Sequence, residues 1–418
     1  MAIQKRTLNN DIILITEPIA SAKTVAIGFW FPVGSRFESD GCRGVTHFVE
    51  HMLFKRTSKM SAFDIACTFD RVGGYINAFT ERDLMCLHAT VPAEHIRQAV
   101  SVMCEMVADS VFNEDELEKE RIVIESEIIT SQDDPEEAAF DELYSVLFPE
   151  QDISEPIAGT VSDVERLTRD GIFSWYKENV AFGALTVSIA GNIEPDEVVP
   201  MLEKLEKRKP PKEILKKPEW NTAKKLVKAP FHQNQIFVAF PVKMPLTEKK
   251  SDCLTVLNAV IGDTMSSRLF QHLREKNGYC YSVYSFVTAF ADCAFWCAYS
   301  SVAKKNTAVV LKELENELKK LCSGDISEME IVAAKEHIVG EEIISSEDVE
   351  ARMKRLARLY FSKFPLNVYT ESIENIRALT KEELSAELSA ELLELLDFSK
   401  ETAVVYGGSY GFKSFFKS

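Results

Sequence analysis

The feature that most constrains the fold of this chain is that its elements run in the same order twice, on either side of a proline- and lysine-rich stretch. That stretch, KLEKRKPPKEILKKP, spans residues 204–218 and combines Pro210, Pro211 and Pro218 with a dense run of Lys and Arg. It reads as a solvated connector. Before it, Met85 to Val91 (MCLHATV) reads as a strand, followed by an amphipathic helix near Ala93 to Val107. After it, Ala294 to Val302 (AFWCAYSSV) reads as a strand, followed by a helical stretch from Asn306 to Leu321. Each part closes on a β-rich run with glycine behind it, Leu185 to Gly191 and Thr402 to Gly408. His88 and Cys297 are 209 residues apart, and Val187 and Val404 are 217 apart, each about half of the 418 residues. A duplicated unit is the simplest reading of that agreement. The expected fold class is α+β: two similar α/β-sandwich halves, each a mainly antiparallel sheet covered by helices. The expected boundaries are 1–203 for the first half, 204–218 for the linker and 219–418 for the second half.

The composition, 46% hydrophobic and 27% charged, is that of a chain able to bury a sizeable core. A formal net charge of -17 argues against a nucleic-acid binder, which needs a basic footprint. No run of about 18 apolar residues occurs, so no membrane span is expected. The N-terminal apolar run, Ile12 to Ile15, is too short for a signal segment and is followed by Thr16, Glu17 and Pro18. Nine scattered cysteines without a CxxC pair suit a reducing compartment, most simply the cytoplasm.

At 100° per residue, Val45 to Leu53 divides into two faces. His47, Glu50 and His51 fall within about 100° of one another, while Val45, Phe48, Val49, Met52 and Leu53 take the opposite side. Two imidazoles at i and i+4 can reach one ion while the apolar face packs into the core. Zinc suits two neutral histidines and one carboxylate, with a fourth position open for water. Glu50 is placed to take a proton from that water. The order H-x-x-E-H is that of the inverzincins. A third ligand is still needed. Asp115 to Ile129 (DELEKERIVIESEII) reads as a helix with Glu120 and Glu127 seven residues apart. The pattern alone does not choose between them and Glu116, Glu118 or Glu125.

Four segments together resemble the pitrilysin/insulinase family of zinc metallopeptidases, especially its mitochondrial-processing-peptidase-like branch. They are VGSRFESDGCRGVTHFVEHMLFKRT (Val33 to Thr57), GGYINAFTERD (Gly73 to Asp83), ERIVIESEI (Glu120 to Ile128) and SSRLFQHLREKNGYCYSVYS (Ser266 to Ser285). The resemblance implies one Zn2+ per chain, held by His47, His51 and Glu127, with Glu50 as general base and Glu120 supporting the site or assisting catalysis. It also implies that Arg274 and Tyr281 from the second half act on the scissile carbonyl, and that Asn77 and Ala78 lie on an edge strand that pairs with substrate. The implied activity is that of a zinc endopeptidase hydrolysing peptides or unfolded polypeptides in a chamber closed by the two halves. Because both residue sets are present in one chain, a self-sufficient homodimer is expected. The glycine-rich loop of the non-catalytic processing-peptidase subunit is absent, since Val260 to Met265 (VIGDTM) holds only Gly262. The alternative is a catalytically silent structural or partner subunit of the same fold.

Overall fold

Two mixed sheets organise the computed structural model, which describes residues 3–213, 216–387 and 397–408. The first sheet contains β1 (Gln4–Thr7), β2 (Ile13–Pro18), β3 (Thr24–Phe31), β4 (Tyr75–Thr80), β5 (Met85–Pro92) and β6 (Thr186–Gly191), in the spatial order β1-β2-β6-β3-β5-β4. The second contains β7 (Lys224–Lys228), β8 (Gln233–Val242), β9 (Cys280–Ala289), β10 (Ala294–Ala303) and β11 (Thr402–Gly407), in the order β7-β11-β8-β10-β9. Each sheet has one parallel pair, β2 with β6 and β7 with β11, and every other pairing is antiparallel. Removing β1 makes the two topologies identical. The runs that pointed to duplication are β5 and β10, and β6 and β11.

The central strands are apolar on both faces because both faces are covered. Along β3 (TVAIGFWF), Val25, Ile27, Phe29 and Phe31 enter one core, while Ala26 and Trp30 enter another. Along β8, Ile236, Val238 and Phe240 alternate in the same way with Phe237 and Ala239. Period-two alternation distributes each strand between two layers of packing.

The chain forms two compact units that do not divide at a single point. One unit comprises the described parts of Met1–Gln132, Glu155–Leu215 and Ile344–Val368, and the other those of Asp133–Ser154, Lys216–Ile343 and Tyr369–Ser418. In the first unit, the helix Val349–Phe361 lays Val349, Met353 and Ala357 against Ala26, Trp30, Cys86 and Ala190. Gly28 of β3 lies under this helix, where an added Cβ would meet the Met353 sulfur at 2.5 Å. In the second unit, the helix Pro135–Leu147 packs Ala139, Leu143 and Leu147 with Phe237, Phe295 and Tyr299. Each sheet thus takes one covering helix from the other side of the connector. Each fully buried Leu or Met on such a face contributes about 1.5–3 kcal/mol.

The connector also departs from a solvated run. Arg208 is buried, and its guanidinium donates to the carbonyls of Val180 and Ala181. Its own N–H donates to the Asn10 carbonyl at 2.9 Å. Those carbonyls end a turn of π-helix, Lys177–Ala181, and need donors that the arginine supplies. Residues 214 and 215 of the connector lie outside the described residues.

Candidate metal centre

The helix Val45–Leu53 forms where the sequence places it, with Val45, Phe48, Val49, Met52 and Leu53 buried in the first unit's core. Its N-terminus is held unusually. Gly44 precedes it at φ 82°, in the left-handed region, and an added Cβ there would meet the Ala158 carbonyl oxygen at 2.4 Å. The cap comes from a buried carboxylate six residues upstream. Glu38 accepts from the Gly44 N–H at 2.7 Å and from the Thr46 N–H at 2.8 Å. A carboxylate there satisfies free N–H groups and complements the helix dipole. Burial pushes the Glu38 carboxyl up to about 7, against the pull of the Thr46 and Gly44 hydrogen bonds and the Arg43 charge.

On the opposite face, His47 and His51 stand with ring centroids 4.6 Å apart. Glu127 reaches both: its Oε1 lies 3.7 Å from His47 Nε2, and its Oε2 lies 3.5 Å from His51 Nε2. One ligand atom from each of the three residues lies within 4.8 Å of the others. A tetrahedral zinc with ligand distances near 2.0–2.2 Å places its donors about 3.4 Å apart, so the set fits that ion after small shifts. Among the described residues, no other trio of His, Cys, Asp and Glu side chains gathers in this way. Burial, with help from the nearby His51, lowers the His47 pKa to about 4, which favours the neutral ring with one nitrogen lone pair free at neutral pH.

The glutamates of this region differ in burial and in the partners they meet. The helix Glu114–Asp133 buries Leu117, Glu120, Ile124 and Ile128 along one stripe. Glu120 therefore needs partners inside the fold. His51 Nδ1 lies 2.8 Å from its Oε1, and Lys55 Nζ lies 2.5 Å from its Oε2. Burial would raise the Glu120 pKa, but the hydrogen bonds of His51 and Lys55 outweigh it and hold the carboxyl below its usual range. For His51, burial pulls down while Glu120, Glu127 and Glu50 raise its pKa overall. A carboxylate on the far nitrogen of a histidine fixes the ring for metal binding. Glu127, on the same face but half-exposed, keeps both oxygens toward the histidines. Glu116 pairs with Arg56 and Glu118 with Arg121, and Glu125 is not among the residues gathered with the two histidines.

Glu50 is also oriented. Its Oε2 accepts from the Thr80 hydroxyl at 2.5 Å. Burial raises its pKa, the Thr80 hydrogen bond and the His51 charge oppose that, and the Glu127 charge adds to it. Asn77 and Ala78 lie on β4, at one edge of the first sheet, where the Ala78 N–H donates to Asn77 Oδ1 at 2.9 Å. Arg274 and Tyr281 belong to the second unit, where they meet: the guanidinium carbon lies 5.2 Å from the Tyr281 ring centre. Tyr281 is 76% exposed, which is not the position of a core tyrosine.

Sequence reasoning missed Lys55, Thr80 and Glu38. Lys55 stands four residues after His51, a spacing that would have placed it beside that histidine. Thr80 follows Ala78 at the strand period, so the same face of β4 was legible. Glu38 gave no signal, because a cap reached through a loop has no fixed spacing.

The insulinase family model (peptidase family M16) matches residues 13–161, and that of the peptidase M16 inactive domain matches residues 166–338. An uncharacterized zinc protease of Streptomyces coelicolor is 32% identical over 367 residues, covering 85% of this chain and 80% of its own. The uncharacterized zinc protease YmxG of Bacillus subtilis is 33% identical over 356 residues, covering 84% and 87%. A crystal structure of a peptidase M16 inactive domain from Pseudomonas fluorescens superposes with a TM-score of 0.89 at 16% identity, covering 98% of each chain. That last likeness is one of fold.

Proposed function

Because the chain belongs to the insulinase family of peptidases, M16, we propose that it is a zinc-dependent endopeptidase acting on peptides and unfolded polypeptides. The observation that carries this reading is the meeting of two histidines and one carboxylate around a space of ion size, with Glu50 on the same helical face. Zinc, when bound, lowers the pKa of water and polarises a carbonyl. The protein's residues do the rest. His47, His51 and Glu127 hold the ion, while Glu120 orients His51 through Nδ1. Thr80 occupies Oε2 of Glu50 and leaves Oε1 to take the proton of the attacking water and pass it to the leaving amine.

The free edge of β4 offers main-chain pairing to an extended peptide, which binds many sequences with side chains adding preference. Arg274 and Tyr281, paired on the second unit, are proposed as donors to the oxyanion. With both residue sets in one chain, a homodimer of identical, self-sufficient subunits acting in the cytoplasm is the assembly we propose. No helix among the described residues is long and apolar enough to cross a membrane.

Digestion of a mixed peptide library by the zinc-loaded protein, with and without a chelator, tests the reading. Cleavage abolished by chelator and restored by zinc is expected, and Glu50→Gln should keep the metal while losing about 10²–10⁴-fold in rate. Cleavage that persists in Glu50→Gln, or without metal, would refute it.

A further inference from the structure

The base is tied to the strand proposed to seat the substrate. Along β4, Ile76 and Ala78 pack against the first unit's core, and Thr80 shares their face by the strand period. Thr80 ends the strand, and its hydroxyl is the group that holds Glu50. The turn beyond Thr80 is anchored independently of the metal residues. The Glu81 N–H donates to the Leu84 carbonyl at 2.7 Å, closing that turn tightly. Ser35 and Arg36 donate their N–H groups to the carbonyls of Glu81 and Arg82 at 3.3 and 3.1 Å. The Arg36 guanidinium pairs with Asp83 at 2.9 Å, both side chains largely buried. Thr80 is thus pinned between its strand and a braced turn, while a glutamate has three side-chain torsions to restrain. Among the described residues, Thr80 is the one hydroxyl given to the Glu50 carboxylate.

We propose that Thr80 is a positioning residue for peptide hydrolysis, holding one oxygen of Glu50 so that the other faces the water, and linking the base to the edge strand on which substrate lies. The inference rests on the peptidase reading. It accounts for a hydrogen-bonding residue at a strand position whose neighbours on that face, Ile76 and Ala78, are apolar. Without the hydroxyl, the metal ligands and the β4 edge remain in place, but the base loses its fixed direction. Misplacement of a reacting group by about 1 Å costs on the order of 10²-fold in rate.

The test compares Thr80→Val, which keeps shape and loses the hydroxyl, with Thr80→Ser, which keeps the hydroxyl. Steady-state cleavage of a fluorogenic peptide, zinc content, and crystal structures of the zinc-loaded proteins are measured together. Thr80→Val is expected to lower kcat by about 10–100-fold, with KM and zinc content as in the wild type and the Glu50 carboxylate displaced or spread over rotamers. Thr80→Ser is expected to restore kcat. Equal kcat in Thr80→Val and wild type overturns the proposal, as does zinc loss in Thr80→Val or failure of Thr80→Ser to rescue, since these mark a merely structural role. If the wild type cleaves no peptide with zinc bound, the peptidase reading fails and the proposal with it; if only the variant comparison fails, that reading stands.

Discussion

The two units carry the same strand topology, and placing one sequence over the other at a separation of 210 residues shows what each has done with it. His47, Glu50 and His51 correspond to Leu257, Val260 and Ile261, all three buried in the second unit's core. Glu120 and Glu127 correspond to Glu330 and His337. A glutamate stands at the first of these positions in both units, but its partner differs. Glu120 meets His51 and Lys55, whereas Glu330 accepts from Arg268 at 2.6 and 2.8 Å. In one unit the glutamate supports a prospective metal ligand, and in the other it completes an ion pair joined to the Ser327 cap. At these three positions the second unit thus has apolar core residues where the first has the polar ones, on the same strand topology. The metal set is therefore separable from the fold.

That separability can be broken experimentally. Giving the first unit the second unit's residues, with His47→Leu and His51→Ile, should leave the protein folded by circular dichroism and abolish zinc binding. Peptide cleavage should then fall by at least about 10³-fold, the loss of a Lewis acid worth several kcal/mol. A smaller change, Glu120→Gln, tests the support of His51. Zinc affinity measured by chelator competition should weaken about 10–100-fold. Lys55→Met, which acts one step further out, should weaken it less than Glu120→Gln does.

In the second unit the expected effect is on stability alone. Arg268 first, with the Ser327 hydrogen bonds, holds the Glu330 carboxyl down to about 2, although burial opposes it. A depressed carboxyl contributes stability above its unfolded pKa, and that contribution is lost as pH falls from about 4.5 toward 2. Arg268→Met should therefore cost roughly 1 kcal/mol at pH 7 after solvent screening, and the difference from wild type in urea denaturation should shrink toward pH 2. Zinc content should not change. Lost zinc in Arg268→Met would mean the units are not independent in this respect.

The sequence made the repeated strands legible because period-two runs such as MCLHATV and AFWCAYSSV are long and bounded. The histidine helix was legible because its apolar and polar faces divide cleanly over Val45–Leu53. The exchange of covering helices was not. Amphipathicity shows that Pro135–Leu147 and Val349–Phe361 each bury a face, but not which sheet receives it. The boundaries 1–203 and 219–418 follow the connector, whereas the units follow packing across it. Within the site, spacing left five glutamates open; burial distinguishes Glu120, and approach to both histidines distinguishes Glu127, neither of which a spacing records. Thr80 and Glu50 are joined by the meeting of a strand end and a helix, a link that no local period records.

The central claim is that one zinc ion sits in the first unit and none in its counterpart. Anomalous scattering at the zinc edge from crystals of the zinc-loaded protein addresses it directly. The account predicts one peak per chain within about 2.0–2.2 Å of His47 Nε2, His51 Nε2 and a Glu127 oxygen. Stoichiometric zinc found elsewhere, or none at these three side chains in protein that cleaves peptides, would contradict it.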